Sequence, residues 1–178
     1  LARLLAVGWI VISPMGGAVV LGLDVRAVAE LADARFVLET TAVSRASQTS
    51  RQQLADVLAS SVRTQREAFD DGDLPRFIDL TLQFHRGFVE AGGNEVLLEL
   101  YDRLSDRHRF TLFASGDRLL TQGEQIMADH EQLTDHLREG DIAAFAAVLR
   151  GHIAEAPTEP PEALAARGRD PFLGHHSS

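Results

Sequence analysis

Three stop-and-restart signals constrain the fold of this 178-residue chain more than any other feature. Gly72-Asp73, Gly92-Gly93-Asn94 and Gly140-Asp141 each join a residue tolerant of left-handed backbone to a side chain that caps helices. The segments they divide carry apolar residues at helical spacing. Asp24 can cap a first helix to about Ser47, and Ser50 a second with Leu54, Val57, Leu58, Val62 and Phe69 as its stripe. Asp73 opens a third, with Phe77, Ile78, Leu82, Phe84 and Phe88 on its apolar face, and Asn94 opens a fourth to about Ser115. A fifth spans Asp117 to Glu139, where Gly123 allows a break, and a sixth runs from Asp141 to about Ala156. Turns of two or three residues between long helices make neighbours antiparallel, so the expected fold is an all-α antiparallel bundle of about six or seven helices.

The ends of the chain differ from this middle. Residues 1–7 read as the end of a helix closed by Gly8. Two short β runs, Trp9 to Ile12 and Ala18 to Leu21, flank the turn Ser13-Pro14-Met15-Gly16-Gly17. Helix, strand, turn, strand is the back half of a winged helix-turn-helix, or else a stray hairpin packed on the helices beyond it. The chain starts at Leu1, which leads us to expect missing sequence upstream. Beyond Pro157, prolines and glycines mark a tail expected to be mostly disordered. The expected division is 1–21 for the truncated winged-helix part, 22–156 for the helical domain and 157–178 for the tail.

Composition narrows the function classes. The chain has no cysteine, so disulfides and thiolate metal sites are excluded, and a cytoplasmic setting is expected. No apolar run approaches the ~20 residues of a membrane span. A formal net charge of −9 makes the chain as it stands a poor nucleic-acid binder.

The chemistry concentrates in three histidines. His85, His130 and His152 lie on the apolar faces of three different helices. A lone histidine there is usually a hydrogen-bonded core residue, but three need three polar partners. One shared metal ion satisfies them all, and imidazole ligands without cysteine suit zinc, nickel or another divalent transition metal. Thr81, one turn before His85, offers a weak neutral ligand or a hold on a metal-bound water. Asp79 points elsewhere, roughly 240° around the helix at 100° per residue. Arg35 also faces inward and needs an anion, which is either an internal carboxylate such as Glu39 or the carboxylate of a ligand. His108, between Arg107 and Arg109, has no clear facing. His130-Glu131-Gln132-Leu133-Thr134 lacks the second histidine of the zinc-protease motif, and no phosphate loop or nucleophile elbow occurs. The rival reading is a metal-dependent, hydrolase-like helical-bundle enzyme, with Glu131 as its local candidate base.

The order and spacing of these pieces resemble the effector-binding FCD domain of GntR-type transcription regulators of the FadR-like subgroup. The resemblance rests on Arg35-Phe36-Val37-Leu38-Glu39, Phe84-His85, Ala91-Gly92-Gly93-Asn94, His130-Glu131-Gln132-Leu133, Gly140-Asp141 and His152. His130 follows His85 by 45 residues and precedes His152 by 22. The resemblance implies a metabolite-responsive DNA-binding regulator, not an enzyme, which forms a homodimer and binds a small organic acid beside a divalent metal. It implies metal ligands at His85, His130 and His152, and effector contacts at Arg35, Thr81 and Asn94. Thr81 stands where that family usually has an aspartate. The remnant of the DNA-binding part would contribute Arg3, Ser13, Gly16 and Gly17, and operator DNA would be a partner only with a full winged helix. Met15 replaces a common basic residue of the wing, which weakens its phosphate contact.

Overall fold

A computed structural model describes residues 10–12, 18–20 and 25–154. Arg3, Ser13, Gly16, Gly17, Asp24 and the 157–178 tail lie outside the described residues. Two short strands, β1 (Ile10–Ile12) and β2 (Ala18–Val20), pair antiparallel with Val11 opposite Val19. Six helices follow among the described residues: α1 (Val25–Arg45), α2 (Gln48–Asp70), α3 (Leu74–Glu90), α4 (Glu95–Ala114), α5 (Gly116–Glu139) and α6 (Ile142–Ala154).

The turns form for the reasons their residues suggest. Gly72, Gly93 and Gly140 take φ of 68°, 64° and 78°, which L side chains resist. The Asp73 carboxylate accepts from the Arg76 amide at 3.1 Å, and Pro75 sits in the first turn where its missing N–H costs nothing. Asn94 Oδ1 accepts from the amides of Val96 and Leu97, both at 3.1 Å. Three details depart from the sequence expectation. Ser47, not Ser50, caps α2: its extended backbone ends the α1 connection, and its Oγ accepts from the Ser50 amide at 3.0 Å. Val57 is 64% exposed, because it sits beside the stripe of Leu54, Leu58 and Val62 rather than on it. Helix α5 runs unbroken through Gly123, whose missing side chain makes room for Phe69 of α2.

Helix α3 is the spine of the bundle. It packs against α1, α2 and α4, while α5 bridges α2 and α6, and α6 returns to α1. Phe77, Phe84 and Phe88 of α3 meet Met127, Leu133 and Leu137 of α5 and Phe145 of α6 in one buried cluster. Phe84, Phe88 and Phe145 form an edge-on ladder with centroids 5.1 and 4.9 Å apart. Each buried phenyl contributes about 1.5–3 kcal/mol of transfer energy. Among the described residues, the polar side chains of Glu39, Gln65, His85 and His130 are fully buried. No helix among the described residues is long and apolar enough to cross a membrane.

Candidate metal centre

The bundle gathers His85 of α3, His130 of α5 and His152 of α6, with one ligand atom from each within 4.8 Å of the others. Their facing follows from helical spacing. His85 shares the inward stripe of Phe77, Ile78, Thr81 and Phe88, and His130 that of Met127, Leu133 and Leu137. Phe84 stacks on the His130 ring, with centroids 4.2 Å apart and planes 19° from parallel.

Each imidazole has its Nδ1 engaged by an acceptor. His85 Nδ1 lies 2.8 Å from Glu39 Oε2, His130 Nδ1 lies 2.7 Å from Gln65 Oε1, and His152 Nδ1 lies 3.1 Å from Asp129 Oδ2. The Gln65 orientation is supported by its own amide, which donates to Ser61 Oγ at 3.2 Å. An acceptor at Nδ1 fixes the proton there and leaves a lone pair at Nε2. Nε2 of His85 stands 3.1 Å from Nε2 of His152, and the buried Nε2 of His130 has no hydrogen-bond partner. Two facing lone pairs and a third orphaned one are unfavourable in a dry core. They suit a cation, because ligand nitrogens ~2.0–2.1 Å from one zinc ion stand roughly 3.3 Å apart, near the 3.1 Å of the His85–His152 pair. The residues therefore fit a divalent ion held by three imidazoles, with outer carboxylate and amide groups orienting the rings.

The electrostatics agree with neutral ligands. Burial, followed by the nearby Arg35 and His152, holds His85 well below the ordinary imidazole range. Burial also depresses His130, with His152 and His85 adding to it. Burial alone would raise Asp129, but hydrogen bonds from His152 and Gln125 outweigh it and hold the carboxyl below its usual range.

Arg35 has the internal carboxylate that the sequence offered, Glu39. Arg35 Nε donates to Glu39 Oε1 at 3.2 Å, and its NH2 group lies 3.1 Å from the same oxygen. Tyr101 donates to that oxygen at 3.1 Å as well. Burial pushes the Glu39 carboxyl up, while Arg35 and Tyr101 pull it back. The arginine is thus paired inside the protein, its NH1 lies 2.8 Å from His108 Nε2, and its buried NH2 has no hydrogen-bond partner.

The other candidates separate. Thr81 is buried one turn before His85, and its Oγ1 has no partner. Asn94 spends its side-chain oxygen on the α4 cap. Asp79 pairs with Arg109 of α4. Glu131 is exposed and borders an outer groove with Arg63 and Arg138. His136 is half-buried near Glu139. Sequence reasoning missed Gln65, Asp129 and His108 as members of the site. Gln65 had a signal, since it continues the buried α2 stripe of Leu58 and Val62. His108 had a weaker one, seven residues after the buried Tyr101.

No curated protein matches the chain by sequence. Among solved structures, the chain is similar to E. coli McbR/YncC, at 18% identity and a TM-score of 0.68 over 86% of this chain and 77% of that one. It is similar to Lar, which controls expression of the Listeria monocytogenes agr system, at 17% identity and a TM-score of 0.66 over 87% and 74%. It also resembles the metal-free FCD domain of TM0439, at 18% identity and a TM-score of 0.61 over 75% and 91%. At these identities the likeness speaks to the fold. Residues 30–155 match the FCD domain, and the chain belongs to that family.

Proposed function

We propose that this chain is the effector-binding part of a metabolite-responsive transcription regulator of the GntR type, and that it senses a small organic acid beside a divalent ion held by His85, His130 and His152. The observation that carries this reading is the convergence of three Nε2 lone pairs whose Nδ1 protons are already committed. The domain match supplies the class, and several fold relatives are themselves described as regulators. Zinc or nickel suits the all-imidazole donor set.

In this mechanism an acid enters the bundle, meets the ion and favours one arrangement of a homodimer. That arrangement then sets the attached DNA-binding domains. Residues 1–21 would be the end of a recognition helix and the wing, with Arg3, Ser13, Gly16 and Gly17 at its DNA side. Operator binding therefore needs a complete winged helix. The hydrolase alternative is weaker, because the bases it would use are engaged elsewhere: Glu131 faces outward, and Glu39 and Asp129 are tied to imidazoles.

The test is thermal unfolding of the chain with zinc, nickel and a panel of small carboxylic acids. The reading predicts that an ion raises the midpoint, that at least one acid raises it further, and that His130→Ala removes both effects. A midpoint unmoved by every ion and acid would overturn it.

A further inference from the structure

The seam between α2 and α5 opens into a groove on the outer side of the bundle. The two helices run antiparallel, and polar contacts clamp them on either side of the groove. Arg66 NH1 donates to Glu124 Oε1 at 2.7 Å at one end. At the other end Arg138 NH2 donates to the Ala55 carbonyl at 3.4 Å and to Asp56 Oδ1 at 3.3 Å. Between these clamps the seam carries small side chains, Ala59 on α2 and Thr134 on α5. They do not fill the space between the helix surfaces, and a cavity of about 300 Å³ remains. That volume lies at the lower end of the range for small-molecule sites, roughly 300–1,000 Å³.

The floor is apolar and the walls are charged. Val62 and Thr134 are buried and form the floor with Ala59. The Thr134 hydroxyl donates to the His130 carbonyl at 2.8 Å, so its polar atom is already engaged. Arg63 stands on the α2 wall, one turn from Ala59, and Glu131, Asp135 and Arg138 follow one stripe of α5. Arg138 is paired within its own wall, with Asp135 Oδ1 at 3.3 Å, and with Asp56 beyond it. Arg63 and Glu131 are not paired. Arg63 NH2 donates to Ser60 Oγ at 2.8 Å and meets no carboxylate among the described residues. Glu131 has neither a hydrogen bond nor an ion pair there, and it acts on Arg66 only at longer range, behind Glu124.

Charge sets the kind of ligand. The lining holds two cations and two anions, so it favours neither sign overall. With Arg138 and Asp135 paired, an unpaired guanidinium on one wall and an unpaired carboxylate on the other remain above an apolar floor. We infer that this groove binds a free α-amino acid with a short aliphatic side chain. Its carboxylate pairs with Arg63, its ammonium with Glu131, and its alkyl group rests on Ala59 and Val62. A zwitterion meets both charges at once, and a guanidinium fork matches a carboxylate through two parallel N–H bonds. The site is separate from the three-histidine centre and needs no ion.

Nuclear magnetic resonance titration of the isotope-labelled full chain with L-valine, in a buffer containing a metal chelator, tests the inference. Amide signals around Ala59 and Thr134 are expected to move and saturate, while those around Thr81 and His85 stay in place. Isovalerate and isobutylamine each keep only one of the two charges, and each is expected to bind roughly threefold more weakly or worse. Arg63→Gln and Glu131→Gln each remove one pairing from an exposed wall. Each is expected to weaken L-valine about threefold to fivefold, the order of an exposed charge pair, with the thermal midpoint unchanged. No saturable shift, shifts centred on the histidines, isovalerate binding as tightly as L-valine, or unchanged affinity in both variants would overturn the site. Because the chelator keeps ions away, each of these results leaves the ion reading to its own test.

Discussion

His85 and His152 face each other through their Nε2 atoms at 3.1 Å, although each has its Nδ1 against a carboxylate, from Glu39 and Asp129 respectively. With both rings neutral, the two acceptors set the tautomer that points lone pairs at each other. The two rings would serve as ligands to an ion, and Glu39 and Asp129 would hold them in the orientation that binding needs.

That dependence can be measured at Asp129. Asp129→Ala leaves the three imidazoles in place but frees the His152 ring to rotate and change tautomer. Ion affinity is expected to fall about 10–100-fold. The thermal midpoint of the ion-free protein should change little, since Asp129 lies at the edge of the core. Unchanged affinity in a competition titration against a chelator dye would contradict the role given to Asp129.

Glu39 joins side chains of α1, α3 and α4 in the core. It is fully buried and accepts from Arg35, Tyr101 and His85. Glu39→Ala leaves the Arg35 charge buried and unpaired, at a cost of about 3–5 kcal/mol in chemical denaturation. Tyr101→Phe removes one hydrogen bond to a charged acceptor and should cost about 1.5–3 kcal/mol. A Glu39→Ala loss below that of Tyr101→Phe would show that the pair is less dry than its burial implies.

The buried histidines set the pH profile. His85, His108 and His130 are all depressed by burial, so each stays neutral in the folded chain at pH values where the unfolded chain is protonated. Their contribution is complete above the unfolded value of about 6.5 and is lost as pH falls below it. Each can add a slope of up to about 1.4 kcal/mol per pH unit in that range. Denaturation midpoints of ion-free protein should therefore be flat from about pH 7 to 8 and fall steeply from about pH 6.5 to 5. A midpoint that rises on acidification would reverse the sign.

Two glycines separate a hard contact from a softer one. A Cβ on Gly92 would lie 2.9 Å from the Cα of Ala42, and the α1 backbone cannot step aside. A Cβ on Gly123 would run into the Phe69 ring, which is a side chain and can swing. Gly123 is also inside α5, where alanine gains about 1 kcal/mol of helix propensity. Gly92→Ala is expected to cost about 1–3 kcal/mol. Gly123→Ala should be offset by propensity unless Phe69 has nowhere to go, and Phe69→Leu should then rescue it. A Gly92→Ala protein as stable as the wild type would mean that the turn after α3 is loosely packed on α1.

Much of the fold was legible in the residues, for identifiable reasons. Caps and left-handed glycines are local, so Asp73, Asn94 and Gly140 marked helix ends directly. Ser47 and Ser50 are three residues apart and chemically equal, and only the path of α1 decides between them. The histidine facing was readable from helical period. Their acceptors were not, because Glu39, Gln65 and Asp129 reach His85, His130 and His152 across sequence gaps of 46, 65 and 23 residues. Arg35 admitted two anions by sequence, and the contact to Glu39 exists only because both lie on one turn of a buried helix. His108 carries no local signal strong enough to separate it from the charged residues on either side.

The most direct test of the central claim is metal content per chain, measured by elemental analysis after dialysis of purified protein against excess zinc and then against buffer. The wild type is expected to retain one divalent ion per chain and His130→Ala none, with both proteins folded by circular dichroism. A wild-type protein that retains no ion, or a His130→Ala protein that retains as much as the wild type, would contradict it.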